Sequence, residues 1–199
     1  MKKYVAIIAA ALLSTAAWAQ DKKAEPKKKP AATAAAPGMP KPGPEMKELR
    51  DLVGSWTTDE AYEESPMMKA GTGSGSVTAR MYPGGFSLIM EVRSKSTMGA
   101  FSGHGVMSWD PNDKVYKYAW VDSMTPGLML ETGKKEGNDL VFTGEIMMMG
   151  KKYTNKDVIS DRTPTSYTLT SYSNDGSGEK KVMTIKATKQ EPPAATAKK

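Results

Sequence analysis

The chain has 199 residues, and its 28 Lys and Arg exceed its 22 Asp and Glu to give a net charge of +6. It contains no cysteine, so disulfides and thiolate metal sites are excluded. The excess charge lies in the flanks, because residues 46–190 carry 18 basic and 18 acidic side chains. Nucleic-acid-binding domains usually carry a basic face, so we expect no nucleic-acid partner.

Residues 1–19 have the pattern of a secretory signal peptide. Lys2 and Lys3 precede an apolar run over residues 5–13, and Ala17 and Ala19 are the small residues that signal peptidase reads. The run is too short for a permanent membrane helix, which needs about 20 apolar residues. We therefore expect cleavage after Ala19 and a periplasmic or secreted protein.

Residues 20–44 are rich in Lys, Pro and Ala and poor in large apolar side chains. This composition predicts a disordered or extended tether. Its positive charge favours weak electrostatic contact with an anionic cell envelope, although a plain spacer has the same composition. Residues 191–199 are predicted to be a disordered tail, which leaves residues 45–190 as one domain.

This domain is predicted to begin with one short amphipathic helix, because Met46, Leu49 and either Leu52 or Val53 lie at helical spacing. After Gly54 the period of the pattern changes to two, and turn residues separate short segments. Ten such strands without covering helices favour an all-β, antiparallel, up-and-down barrel, closed or nearly closed. The predicted strands are residues 56–64, 73–82, 86–95, 100–110, 114–124, 128–135, 140–149, 153–160, 166–173 and 180–188. The glycine-rich residues 70–76 are interpreted mainly as a flexible approach to the second strand.

Alternation predicts which side chains point into the barrel. In the third strand the inward set is Phe86, Leu88, Met90 and Val92. In the fifth strand the inward set is aromatic, because the opposite set has a lysine among small apolar residues. The members of this fifth-strand set are Tyr116, Tyr118, Trp120, Asp122 and Met124.

Tyrosine and tryptophan inside a barrel supply apolar area together with hydrogen-bond donors, as small-ligand cavities do. We therefore predict that the fifth-strand set and Met90 line or rim a cavity for a small apolar or amphipathic ligand. Narrow barrels are also commonly packed solid by their own side chains. A filled barrel with a structural or interaction role is the alternative.

The short helix followed by Gly54-Ser55-Trp56 resembles the calycin superfamily, the lipocalins and their relatives, in which the tryptophan closes one end of the barrel. The resemblance to lipocalins is incomplete. Their second motif is missing, and so is the arginine of the last strand that lies across the tryptophan. The long cations assigned to that strand here are Lys180, Lys181 and Lys186.

A second resemblance covers the whole domain. The run from residue 101 to residue 133, with LVGSW upstream and LVFTGE downstream, is similar to the bacterial family of unknown function DUF1579. This resemblance implies a lipocalin-like barrel and marks Asp122-Ser123-Met124 as a place to look, but it implies no reaction. The matching residues are Phe101, Gly103, Gly105, Trp109, Asp110, Trp120, Asp122, Ser123, Met124 and Gly133.

Metal or haem binding is a third hypothesis. His104 is the only histidine, and the parity of its strand points it outward unless the neighbouring glycines allow a bulge. Nitrobindin-like relatives of the calycins bind haem through histidine. Methionine clusters at residues 67–68 and 147–149 offer thioethers that suit Cu(I), whereas dispersed methionines are typical of adaptable packing.

No constellation in the sequence supports an enzyme. No Gly-x-Ser-x-Gly precedes a helix, and the ligands of a typical zinc site are missing. We therefore expect a monomeric binding protein without catalytic activity or cofactor.

Overall fold

The computed structural model describes residue 38 and residues 40–65, 69–148 and 150–191. The predicted signal peptide, the tether up to residue 37 and the tail from residue 192 lie outside the described residues. Met67, Met68 and Met149 lie outside them as well. In the described part of the chain, no helix is long and apolar enough to span a membrane.

Ten antiparallel strands form a closed barrel in which each strand pairs with its neighbours in sequence, and the last strand pairs with the first. Closure leaves no strand edge unpaired, which removes the liability of an exposed sheet edge. The predicted barrel and the short helix before it are therefore confirmed. The elements are α1 (Met46–Arg50), β1 (Gly54–Tyr62), β2 (Gly71–Met81), β3 (Ser87–Ser96), β4 (Gly99–Asp110), β5 (Val115–Asp122), β6 (Met129–Glu136), β7 (Asp139–Met148), β8 (Lys151–Ser160), β9 (Ser166–Asn174) and β10 (Glu179–Lys189).

Every strand boundary lies within two residues of its predicted position. The glycine-rich segment has a different structure from the one predicted, because β2 begins at Gly71 and includes the segment from there on. A side chain on Gly75 would collide with the backbone of β3 at Arg93 and Ser94. The glycines of this segment therefore belong to the barrel wall, and its interpretation as a flexible approach is wrong.

Helix α1 covers one end of the barrel, which we call the closed end. Met46, Leu49 and Leu52 are buried against side chains that include Leu88 and Leu140 on the strands. The helix ends at Arg50, so Leu52 lies in the turn after it rather than in the helix. The apolar spacing identified the buried side chains correctly but not the end of the helix.

Glu48 attaches α1 to the rest of the closed end. Its carboxylate accepts hydrogen bonds from Lys135 Nζ at 2.7 Å and from Arg162 Nη2 at 2.8 Å. Arg162 also donates to the Asn138 carbonyl oxygen. Partial burial pushes the pKa of Glu48 upward, but the two cations outweigh this effect and hold the pKa below its usual value. Helix, β6 and the loop after β8 are thereby joined.

Trp56 is the largest fully buried side chain of the barrel, with 1% of its surface exposed. Its indole nitrogen donates a hydrogen bond to the Leu52 carbonyl oxygen at 3.0 Å, and its ring contacts Tyr167 edge-on. Gly54 begins β1 at φ 148°, a conformation that favours glycine. The turn, the indole and the carbonyl together position the helix over the barrel end.

Lys189 lies across the Trp56 ring, with Nζ 5.0 Å from the ring centroid. A cation over an indole face is stabilising by electrostatic attraction to the ring. The assignment of Lys180, Lys181 and Lys186 as the cations of the last strand was incomplete, because β10 continues to Lys189, which pairs with Trp56. Lys189 thus takes the position across the tryptophan that the arginine of the last strand has in lipocalins.

We expect Trp56→Ala to lower the free energy of unfolding by about 3–5 kcal/mol, because it removes a fully buried indole and leaves a cavity. Urea unfolding followed by circular dichroism measures the change. Tyr82→Ala, at a side chain that is 56% exposed, is the control and should change stability by less than about 0.5 kcal/mol. A loss below about 1 kcal/mol for Trp56→Ala would contradict the closing role.

Candidate ligand-binding cavity

The barrel contains a cavity of about 360 Å³. It extends from Leu52, in the turn after the helix at the closed end, toward the opposite end of the barrel. We call that opposite end the open end; β1, β3, β5, β7 and β9 finish there. Ligand pockets typically have volumes of about 300–1,000 Å³ and mostly apolar linings. The interior is therefore not packed solid, and most of its lining is apolar or aromatic.

Glycines inside the strands make room for the aromatic side chains of the cavity. An added side chain at Gly103 would collide with the Trp120 ring, and one at Gly105 would come within 2.8 Å of Tyr118. Gly133 is covered in the same way by Phe142. The family glycines of β4 therefore do not create a bulge, because β4 pairs with β3 and β5 in continuous register.

Most of the predicted site residues lie in the cavity wall. Met90, Tyr118, Trp120, Asp122 and Met124 all line it. Tyr116 points inward but does not line the cavity; it is buried near the closed end, where its hydroxyl donates to the Glu45 carbonyl oxygen at 2.9 Å. The role of these residues in ligand binding stays a prediction.

Phe86 is the side chain of the third strand whose position was predicted wrongly. It is 43% exposed, because it precedes β3 and belongs to the turn at Gly84 and Gly85. Alternation applies only where the backbone is extended and paired. The remaining members of the set, Leu88 and the cavity-lining pair Met90 and Val92, point inward.

Asp122 organises the open end. One carboxylate oxygen accepts from the Trp120 indole nitrogen at 2.9 Å, and the other accepts from the backbone of Met124 and Thr125 at 2.8 and 2.6 Å. Ser123 is tied to Ser102 of β4 through both its hydroxyl and its backbone. The Asp-Ser-Met segment therefore fixes the loop after β5 and the ring of Trp120, and the carboxylate satisfies its need for partners locally.

Methionines are concentrated in the cavity wall. A thioether side chain is flexible and polarisable, so it adapts to ligands of varied shape. The proposed cluster at residues 147–149 does not converge, because Met147 is 61% exposed on the outside whereas Met148 lines the cavity. The lining methionines are Met90, Met98, Met107, Met124, Met129, Met148 and Met183.

His104 lies exposed on the outer face of β4, as its parity predicts. It cannot reach a ligand held inside the barrel, so a haem site in the cavity would lack it. The described residues contain no group of three or more His, Cys, Asp or Glu side chains able to hold a metal ion.

Two neighbouring acidic side chains, one buried and one partly buried, were not identified from the sequence. Glu131 on β6 is only 4% exposed, and Asp157 on β8 lines the cavity. Gly144 on β7 pairs with Glu131 on one side and with Asn155 on the other, and an added side chain there would come within 2.8 Å of Glu131 Cγ. Glu131 thus crosses β7 and accepts a hydrogen bond from Asn155 Nδ2 at 2.7 Å. The alternation of the sequence could have placed both acidic side chains inside the barrel. Their proximity to each other depends on the register of β6, β7 and β8, which the sequence does not give.

Among the described residues, no basic side chain neutralises either carboxyl group. Glu131 Oε2 and Asp157 Oδ1 are buried without a hydrogen-bond partner among the described residues. Burial raises the pKa of Glu131 to about 8, and the charge of Asp157 adds to the rise while Asn155 opposes it. Burial also raises the pKa of Asp157, against hydrogen bonds from Ser171 and Asn155. At neutral pH the pair therefore retains a proton.

A second acidic group, Glu60 on β1, is buried but fully partnered. Its carboxylate accepts from the Thr58 hydroxyl at 3.0 Å and from the Tyr62 hydroxyl. Burial, followed by the hydrogen bond to Glu60, raises the pKa of Tyr62 well above its usual value. Glu60, Asp122 and Asp157 line the cavity, whereas no Lys, Arg or His is found in its described lining.

The family model of DUF1579, described as a protein of unknown function, matches residues 41–189. Among solved structures, the S-type phycobiliprotein lyase CPES from Guillardia theta has a TM-score of 0.52 at 12% identity, covering 73% of this chain and 92% of its own. Rv2717c from M. tuberculosis has a TM-score of 0.53 at 12% identity, covering 75% and 99%. At such low identity these likenesses show the fold alone. No curated protein sequence matches the chain.

We expect the ligand-free protein to lose stability as pH rises from about 5 to about 8, because the folded state holds a proton on Glu131 that the unfolded chain releases near 4.5. The stabilisation is complete below the unfolded pKa and is lost as pH rises through the folded one, with a slope of at most about 1.4 kcal/mol per pH unit for one proton. Urea unfolding across this range measures it.

Glu131→Gln should flatten this pH dependence, because the amide retains hydrogen-bonding capacity but cannot ionise. Glu91→Gln is the matched control, since Glu91 is exposed on the outside of β3. Equal pH profiles for the wild type and Glu131→Gln would show that the buried pair does not titrate as described.

Proposed function

The chain belongs to the DUF1579 family of proteins of unknown function, and we propose that it is an exported binding protein that holds a small apolar or amphipathic molecule inside its barrel. The cavity of about 360 Å³ is the observation that carries the proposal. A ligand that enters an apolar cavity of this size gains dispersion contacts with the side chains of the wall.

The contents of the wall support a binding role. Flexible thioethers line the cavity together with the aromatic side chains Tyr118, Trp120 and Phe142, a combination that accommodates varied apolar shapes. The lining contains no histidine, and the chain contains no cysteine. Two of the commonest catalytic groups are therefore missing from the wall, which favours binding without catalysis.

A filled barrel with a purely structural role is the weaker alternative, because the interior is not filled.

A tether-mediated contact with the envelope remains part of the proposal. Backbone bonds from Met46 to the Gly43 carbonyl oxygen and from Lys47 to the Pro44 carbonyl oxygen place residues 43 and 44 in the turn that starts the helix. A tether would therefore end before Gly43.

We expect native mass spectrometry of the protein purified from its own host to detect a small organic molecule bound in a 1:1 complex. Val92→Trp should abolish this complex, because Val92 lines the cavity and the larger ring would fill it. Val106→Trp is the matched control, since Val106 is 44% exposed on the outside of the barrel. Absence of any organic adduct on the wild type, together with no binding of an added apolar dye, would contradict the proposal.

Export is tested separately. We expect the protein from the host periplasm or medium to begin at Gln20, because cleavage after Ala19 matches the signal-peptidase pattern. Intact mass measurement with N-terminal sequencing identifies the first residue. Ala17→Arg and Ala19→Arg should block cleavage, whereas Ala16→Arg serves as a neighbouring control. An unprocessed wild-type chain in the cytoplasm would contradict export.

A further inference from the structure

The charge of the cavity wall restricts the class of ligand. Three carboxylates line it, those of Glu60, Asp122 and Asp157, and its described lining contains no basic side chain. Glu60 and Asp122 have their oxygens occupied by neighbouring donors. Asp157 differs from both, because one of its oxygens has no partner among the described residues.

The surroundings of Asp157 supply donors but no positive charge. Asn155 on β8 and Ser171 on β9 hydrogen-bond to it, while Gly144 on the intervening strand carries no side chain. Glu131 approaches from β6 with a second unpartnered oxygen and is buried to more than nine-tenths. The phenol of Tyr118 on β5 is also close to the pair. Burial is the main cause that raises its pKa well above the usual value, and the charges of Asp157 and Glu131 add to it.

We propose that the cavity selects amphipathic organic cations, with the ammonium group of the ligand held at Asp157, next to the charge of Glu131, and its apolar body among the methionines and aromatic rings. This inference rests on the proposed binding function and deepens it. An isolated buried charge is costly, and a buried carboxylate is stabilised by a paired cation. An ammonium group supplies the cation and the donors that the protein itself does not supply.

Anionic amphipaths are disfavoured by the same wall. A fatty-acid carboxylate would bring another negative charge into a region of low dielectric constant beside two acidic groups, without a lysine or arginine to pair with it. A neutral alcohol suffers no such repulsion and forms ordinary hydrogen bonds. The expected order of affinity is therefore cation, then alcohol, then anion.

Binding of the cation displaces a proton. Without ligand, the pair of carboxyl groups holds at least one proton at neutral pH, since the pKa of Glu131 is about 8 and that of Asp157 is also raised by burial. An ammonium group beside the pair stabilises the doubly ionised form and lowers this pKa. The affinity for the cation should then rise with pH up to about 8 and become constant above it.

Decylamine, decanol and decanoate provide a test, because they share one alkyl chain and differ in the charge of the head group. Isothermal titration calorimetry of the full mature chain near pH 7 should show decylamine binding about tenfold to a hundredfold tighter than decanol, as expected for hydrogen bonds to charged groups. Decanoate should bind more weakly than decanol. Titration in two buffers of different ionisation enthalpy should show release of close to one proton on binding decylamine.

Asp157→Asn should reduce the preference for decylamine over decanol to less than about threefold, and Glu131→Gln should abolish proton release. Asp59→Asn is the matched control, because Asp59 is exposed on the outside of β1 and loses the same charge. Thermal unfolding of each variant confirms that it is folded.

Two results would overturn the inference. If decanol and decylamine bind equally, or decanoate binds best, the ligand class is wrong while the proposed binding function stands. If none of the three probes nor an apolar dye binds the folded wild type, the binding function fails and the inference fails with it. If Asp59→Asn lowers the preference as much as Asp157→Asn, the selectivity comes from the overall charge and not from this pair.

Discussion

The structure depends on the closure of one barrel end around Trp56. The indole points inward from β1, packs against Val77 and Ala187, donates to the Leu52 carbonyl oxygen and lies under the Lys189 ammonium group. These contacts hold helix α1 across the end while β1 and β10 complete the barrel. With helix α1 across this end, the cavity extends away from it toward the other end of the barrel.

The interior is then shaped by glycines more than by large residues. Gly103, Gly105 and Gly133 let aromatic rings lie flat against the neighbouring strand, and Gly144 lets Glu131 cross β7. A ring that lies against the wall leaves the centre of the barrel free. The motif glycines therefore have a common physical role, which is to give aromatic and acidic side chains of adjacent strands a place to lie.

The same arrangement separates structural acids from the one acidic pair that lacks partners. Asp122 and Glu60 are satisfied by donors within two or three residues of themselves, so local sequence completes their environment. Glu131 and Asp157 are 26 positions apart in the sequence and become neighbours through strand register, which places Gly144 between Glu131 and Asn155, two residues before Asp157. Ionising a buried carboxyl pair without a cation is costly, and a bound cation would remove much of this cost, which is why the pair carries the inference about the ligand.

The sequence by itself determined the number of strands, their positions to within two residues and the inward direction of Met90, Tyr118 and Trp120. These features depend on alternation and turn chemistry, which are local. It did not determine that Lys189 covers Trp56, that Phe86 lies outside β3, or that the barrel keeps a cavity. Only the tertiary structure decided these points and the meeting of Glu131 with Asp157, because strand register and side-chain volume across several strands are properties of the closed barrel and not of any single segment.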